Sequence, residues 1–135
     1  MESECHELLK RTVAKEMEHE GCEVYVEPPS SPLERVTWSF YRPDILAIAY
    51  NETALKVTLV ECETNPGLKR MNAKTSRIRQ TFAMQKLLDR EHFLRLLLVI
   101  PTGRLHRVNH ATIRKFWEIW IVSDRGNVIH AIPLV

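Results

Sequence analysis

Glycine and cysteine are both scarce, four and three residues in a chain of 135. Neither GxGxxG nor GxxxxGK(S/T) occurs, so there is no glycine-rich loop to cradle phosphates and no nucleotide cofactor is expected. Cys5, Cys22 and Cys62 form no CxxC pair and no even set, which excludes a disulfide framework and points to a reducing, cytoplasmic setting. No apolar run is long enough for a bilayer crossing, the longest being short stretches such as Leu96–Ile100, so no membrane partner is expected. The N-terminal MESECHELLKR is polar and acidic, where a secretory leader would be basic and then apolar. Neither sign of charge dominates: 19 Lys and Arg against 17 Asp and Glu leave a net +2, so any nucleic-acid affinity must come from how charge is distributed.

What is present is ordinary for a folded protein. A hydrophobic share of 44% with 27% charged residues excludes disorder as the main state. At this length a single domain over 1–135 is expected, able to bury about two thirds of its unfolded surface without staples.

Residues 3–20 carry Leu8, Leu9, Val13 and Met17 at helical spacing, with Ser3 as N-cap and Gly21 as terminator. Cys22, Val24 and Val26 then alternate with Glu23, Tyr25 and Glu27, as in a half-buried strand. Residues 28–32 are turn chemistry. The apolar run Ile45–Tyr50 reads as a strand covered on both faces, and Asn51-Glu52-Thr53 as a turn into a second strand at 55–63. A helix is expected over 68–88, with Met71, Ile78, Phe82 and Leu88 inward. A buried strand follows at 94–100, then a short helix capped by Asn109, a strand at 117–122 and an edge hairpin through 128–135. The order α-β-β-β-α-β-α-β-β predicts an α/β fold, a central mixed β-sheet flanked by helices.

The chemistry concentrates on two neighbouring strands. Pro43-Asp44 precedes the first and Glu61-Cys62-Glu63 ends the second, with 17 positions from Asp44 to Glu61, the length of a strand, a tight turn and a returning strand. Such a hairpin brings the three carboxylates to one end of the sheet, with Glu61 and Glu63 on one face by the two-residue period and Cys62 on the other. Clustered carboxylates need a compensating cation or raised pKa values. Mg2+ or Mn2+ would be that cation, polarising a phosphodiester and activating a water.

Helix, strand, PD, strand, ExE, helix, strand resembles the core of the PD-(D/E)xK nuclease superfamily, in particular small archaeal Holliday-junction-resolvase-like nucleases. The resemblance covers about residues 3–100. It implies a restriction-endonuclease-like core, with Asp44 and Glu61 as metal ligands and an Mg-dependent endonuclease activity on DNA. Glu63 stands where the family usually carries lysine and would act as a ligand or general base. Lys69 or Lys74 of the following helix would replace the missing cation, and Glu4 or Glu7 would add the carboxylate that the family often draws from its first helix. His6 falls near the acidic site if that helix packs as the resemblance implies. A homodimer follows from analogy with resolvases of similar size.

Arg70, Lys74 and Arg77 lie at i, i+4 and i+7 and would follow a phosphate backbone; a solvated helix face explains the same pattern. Residues 102–115 hold a second basic concentration, Arg104, His106, Arg107, His110, Arg114 and Lys115, with the same two readings. His106 and His110 have half of a zinc spacing, but nothing near them in sequence completes it. Two functions remain open: a metal-dependent DNA nuclease, and a catalytically inactive protein of nuclease fold that binds nucleic acid or a protein partner.

Overall fold

A computed structural model describes residues 3–33, 38, 41–50, 54–82 and 91–135. It contains α1 (Glu4–His19), β1 (Glu23–Val26), β2 (Ile45–Tyr50), β3 (Ala54–Cys62), α2 (Leu68–Phe82), β4 (Glu91–Pro101), a single 3-10 turn (Leu105–Arg107), α3 (Ala111–Arg114), β5 (Trp117–Val122) and β6 (Val128–Ile132). The six strands form one sheet in sequence order. β4 runs parallel to both β3 and β5; the other neighbours are antiparallel. The central mixed sheet flanked by helices expected from the sequence is the fold observed.

The helix α1 forms where its signals predict. The Ser3 hydroxyl accepts from the His6 N–H at 3.1 Å, and Gly21 leaves the helix at φ +89°, a conformation that costs glycine no Cβ clash. Leu9, Val13 and Met17 are buried on one stripe, against Ile45, Ala47, Val60, Cys62, Leu97 and Val99 of the sheet. At roughly 2 kcal/mol for each large apolar side chain removed from water, this stripe holds α1 in place. α2 covers the opposite face, burying Met71, Ile78 and Phe82 over Leu55, Val57, Leu59 and Leu98. The parity read for β3 holds: Leu55, Val57 and Leu59 face α2, while Val60 and Cys62 face α1. Trp117 and Trp120 likewise divide between the two faces.

Several local expectations shift. The short helix α3 is capped by His110, not Asn109; the Asn109 side chain accepts from Arg114 Nη1 at 3.1 Å instead, leaving the N-terminus without it. β4 starts at Glu91, three residues earlier than its apolar run, because pairing with β3 carries it on from Leu94 to Glu91. Asn51–Thr53, Phe40 and Leu88 lie outside the described residues. Among those described, no helix is long and apolar enough to cross a membrane.

Candidate active site

The β2–β3 register brings the two acidic motifs together. Ile45 pairs with Val60 at the end of the ladder, and continuing that register by two residues puts Asp44 beside Glu61 and Pro43 beside Cys62. Proline has no N–H to give the ladder, so the peptide groups of Cys62 need other partners. Its N–H donates to Asp44 Oδ2 at 2.8 Å, and its carbonyl accepts from His6 Nε2 at 2.9 Å. A carbonyl can only accept, which identifies Nε2 as the protonated ring nitrogen. The same Nε2 lies 3.7 Å from Asp44 Oδ2. The Pro-Asp pair thus ends the strand pairing and turns the aspartate onto the backbone between the two glutamates.

A second brace holds Asp44 from behind. Its carbonyl accepts from the Glu27 N–H at 2.7 Å, and Glu27 sits at φ +45°, which costs a non-glycine residue about 1 kcal/mol or more. The Glu27 carboxylate is gripped by Lys10 Nζ at 2.7 Å. His6 and Lys10 are one helical turn apart on α1, so one face of that helix supports Asp44 through both its ends.

Glu61 and Glu63 project towards α2, and both are buried, 2% and 6% exposed. Lys74 Nζ lies 2.7 Å from Glu61 Oε2 and 2.6 Å from Glu63 Oε1. Tyr41 donates its hydroxyl to Glu61 Oε1 at 2.6 Å. Arg70 Nε is 3.0 Å from Glu63. Burial and then the charge of Asp44 push Glu61 up to about 8, against the opposing pull of Lys74 and Tyr41. Burial, followed by Glu61, holds the Tyr41 hydroxyl well above its ordinary value, so it acts as a donor. Burial pulls on Lys74 in the other direction, but Glu61 and Glu63 outweigh it and keep the ammonium above its ordinary value. Glu63 does the same for Arg70.

Asp44, Glu61, Glu63, Arg70 and Lys74 are therefore brought together, and Lys69 and Arg77 are not: both are exposed on α2. Of the two lysines weighed as replacements, Lys74 is the one whose ammonium lies beside Glu61 and Glu63. Met71 and Ile78 are buried on the same helix, and Lys74, three residues after one and four before the other, lies at the margin of that inward face. Glu4 and Glu7 are both exposed, with Glu7 3.5 Å from Lys10 Nζ; the residue of that turn that reaches Asp44 is His6. Sequence reasoning missed Tyr41, Lys10 and Glu27. The i, i+4 spacing of His6 and Lys10 was the available signal for one of them. Trp38, in the loop before Pro43-Asp44, packs on Phe82 with ring centroids 6.3 Å apart.

Among the described residues, no three His, Cys, Asp or Glu groups stand arranged to hold a metal ion; the Lys74 ammonium lies between two of the carboxylates. The donor chemistry nevertheless fits a hard divalent cation. The acidic groups are all oxygen donors, and burial and the charge of Asp44 raise the carboxyl pKa of Glu61 to about 8, so a further positive charge beside it would be favourable. Asp44 and Glu61 would hold such an ion.

No protein-family model and no curated protein sequence matches the chain. Two solved structures resemble it. An XisH family protein from Nostoc punctiforme matches with a TM-score of 0.52 at 10% sequence identity, over 93% of this chain and 98% of that one. A fdxN element excision controlling factor protein from Anabaena variabilis gives 0.47 at 8% identity, over the same shares. At such identity the first likeness shows that the α/β fold is shared.

Proposed function

We propose that this chain is a metal-dependent DNA nuclease, an endonuclease of PD-(D/E)xK type whose lysine has moved from the strand to the following helix. One observation carries the reading: Lys74 meets Glu61 and Glu63 at the end of β3, beside an aspartate delivered by a strand-ending Pro-Asp. Nothing in the packing of a stable core calls for this group. Burying the two carboxylates of Glu61 and Glu63 costs several kcal/mol per ion unless each is compensated, and apolar residues would pack the same place at less cost.

Asp44 and Glu61 hold Mg2+ or Mn2+ in this reading. The bound ion supplies charge for the scissile phosphate and lowers the pKa of a water. Lys74 keeps a positive charge beside the attacked phosphate and orients the incoming water. Glu61 and Glu63 both have their oxygens engaged, Glu61 by Tyr41 and Lys74 and Glu63 by Lys74 and Arg70, and each carboxylate keeps further lone pairs. In this reading Glu61 gives one to the ion, and Glu63 serves as ligand or base and holds the two cations. Tyr41 fixes the second oxygen of Glu61, leaving that carboxylate a single orientation. The substrate is DNA in the cytoplasm, and two copies act together as a homodimer.

The test is cleavage of labelled single-stranded, duplex and four-way-junction DNA with Mg2+ and Mn2+, with Asp44→Ala and Lys74→Ala assayed in parallel. Metal-dependent cutting by the wild type that disappears in both variants is expected. Cutting that survives in Asp44→Ala overturns the assignment. A wild type that binds DNA without cutting it supports instead the inactive binding protein of the same fold. Light scattering at the assay concentration checks the dimer, and a monomer there overturns it.

A further inference from the structure

Charge in this protein is segregated along the chain. Residues 1–63 hold 13 Asp and Glu against six Lys and Arg, and residues 64–135 hold four against 13. Two stretches contain no acidic residue at all: 64–82, with five Lys and Arg, and 101–117, with four and two histidines. These runs are remote in sequence, but three contacts join them. Arg107 Nη1 donates to Asn65 Oδ1 at 2.6 Å, the Arg79 guanidinium lies 4.3 Å over the Phe116 ring, and Trp117 Nε1 donates to Thr75 Oγ1 at 2.8 Å. Together they build one surface from α2, the 3-10 turn and α3. It starts at Asn65, two residues beyond Glu63, and α1 with its exposed Glu4, Glu7, Glu16 and Glu18 lies on the other face of the sheet.

We infer that this surface binds a nucleic-acid backbone, with Lys69, Arg104, Arg107 and Lys115 as its phosphate contacts. All four are exposed. Arg70 and Lys74, which the sequence placed on the phosphate path, have their charge engaged by Glu61 and Glu63, so the outer contacts fall to a different set. Complementarity of charge selects the occupant: the two runs that build this surface carry no acidic residue to repel a phosphate, and each contact neutralises one backbone charge and releases a counterion. The inference extends the nuclease reading by giving its substrate a path, but binding along the face does not require cleavage.

The test therefore uses binding alone. Affinity of the full chain for a labelled 30-base-pair duplex is followed by fluorescence anisotropy in EDTA over a series of KCl concentrations. Arg104→Glu, Arg107→Glu and Lys115→Glu together are compared with Arg11→Glu, Lys15→Glu and Arg125→Glu, an equal charge change at exposed sites on α1 and the β5–β6 turn. The first set is expected to weaken binding at least about tenfold and to flatten the dependence of log Kd on log salt by about 2 to 3. The second set is expected to stay within about threefold, since charge away from the path acts only at screened distance. Arg107→Gln alone, which adds no repulsion, should lower the slope by about 1, and circular dichroism checks that each variant is folded. Equal losses in both sets, or wild-type affinity in the first, would overturn the inference. So would a wild type that does not bind the duplex; a wild type that binds but never cuts would overturn the nuclease reading alone.

Discussion

Replacing Glu61 by glutamine should make the metal-free protein more stable at alkaline pH, at the expense of function. Glu61 titrates at 4.5 when unperturbed and at about 8 in the fold, because it is buried and faces Asp44. A raised carboxyl pKa means that the folded state holds the proton more tightly. The stability this group contributes is therefore complete below pH 4.5 and is lost as the pH rises through about 8. At about 1.4 kcal/mol per pH unit, the metal-free protein gives up roughly 5 kcal/mol across that interval. An amide carries no charge to desolvate and escapes the loss. At pH 4.5 the wild-type group carries its proton, and like the amide it then offers Lys74 and Tyr41 one carbonyl oxygen and one donor. The two side chains should therefore differ little at that pH. Glu61→Gln should match wild type within about 1 kcal/mol at pH 4.5 and be more stable by about 4–5 kcal/mol at pH 9. Urea denaturation followed by tryptophan fluorescence, in EDTA from pH 4.5 to 9, reads both values. A stability difference that does not change with pH, or a variant weaker than wild type at pH 9, would mean that Glu61 does not carry a raised pKa in the fold.

The other expectations concern the groups around it. Lys74→Ala leaves Glu61 and Glu63 without their shared ammonium and should cost about 3–5 kcal/mol in urea at pH 8. Lys69→Ala, on the exposed side of the same helix, should stay within about 0.5 kcal/mol; equal effects would mean that Lys74 is not the paired residue. Tyr41→Phe removes one hydrogen bond from a buried carboxylate and should destabilise by about 1–3 kcal/mol, measured in the same way, and a neutral result would deny the Tyr41–Glu61 contact. Mg2+ at about 100 times its Kd should raise wild-type stability by about 2.7 kcal/mol and should not raise that of Asp44→Ala; equal gains would place the ion elsewhere. Gly126→Ala meets Leu8 Cδ1 at 3.0 Å and Thr12 Oγ1 at 3.2 Å from a backbone at φ +78°, so thermal unfolding should show a loss of more than about 1 kcal/mol. A stabilised Gly126→Ala would contradict the seating of α1 on the β5–β6 turn.

The hairpin that carries the site was legible in the sequence because strand geometry is local. A period of two puts Glu61 and Glu63 on one side of β3 and Cys62 on the other whatever the rest of the protein does. Once Ile45–Tyr50 and the next apolar run were read as neighbours, the spacing from Asp44 to Glu61 fixed which end the carboxylates share. Ser3, Gly21 and the apolar stripe between them likewise determined α1 through short-range hydrogen bonding and burial. Only the tertiary structure decided what meets those carboxylates. Lys69 and Lys74 both follow ExE within a turn or two, and the choice depended on how α2 rotates to bury Met71 and Ile78. Glu4, His6 and Glu7 share one turn of α1, and the packing of Leu9, Val13 and Met17 turned His6 onto Asp44. Tyr41 reaches Glu61 through the path of its loop, which no periodicity governs. The two basic runs became one surface for the same reason: helical and strand periods set which way a side chain points on its own element, while the burial of apolar area between elements sets which side chains meet.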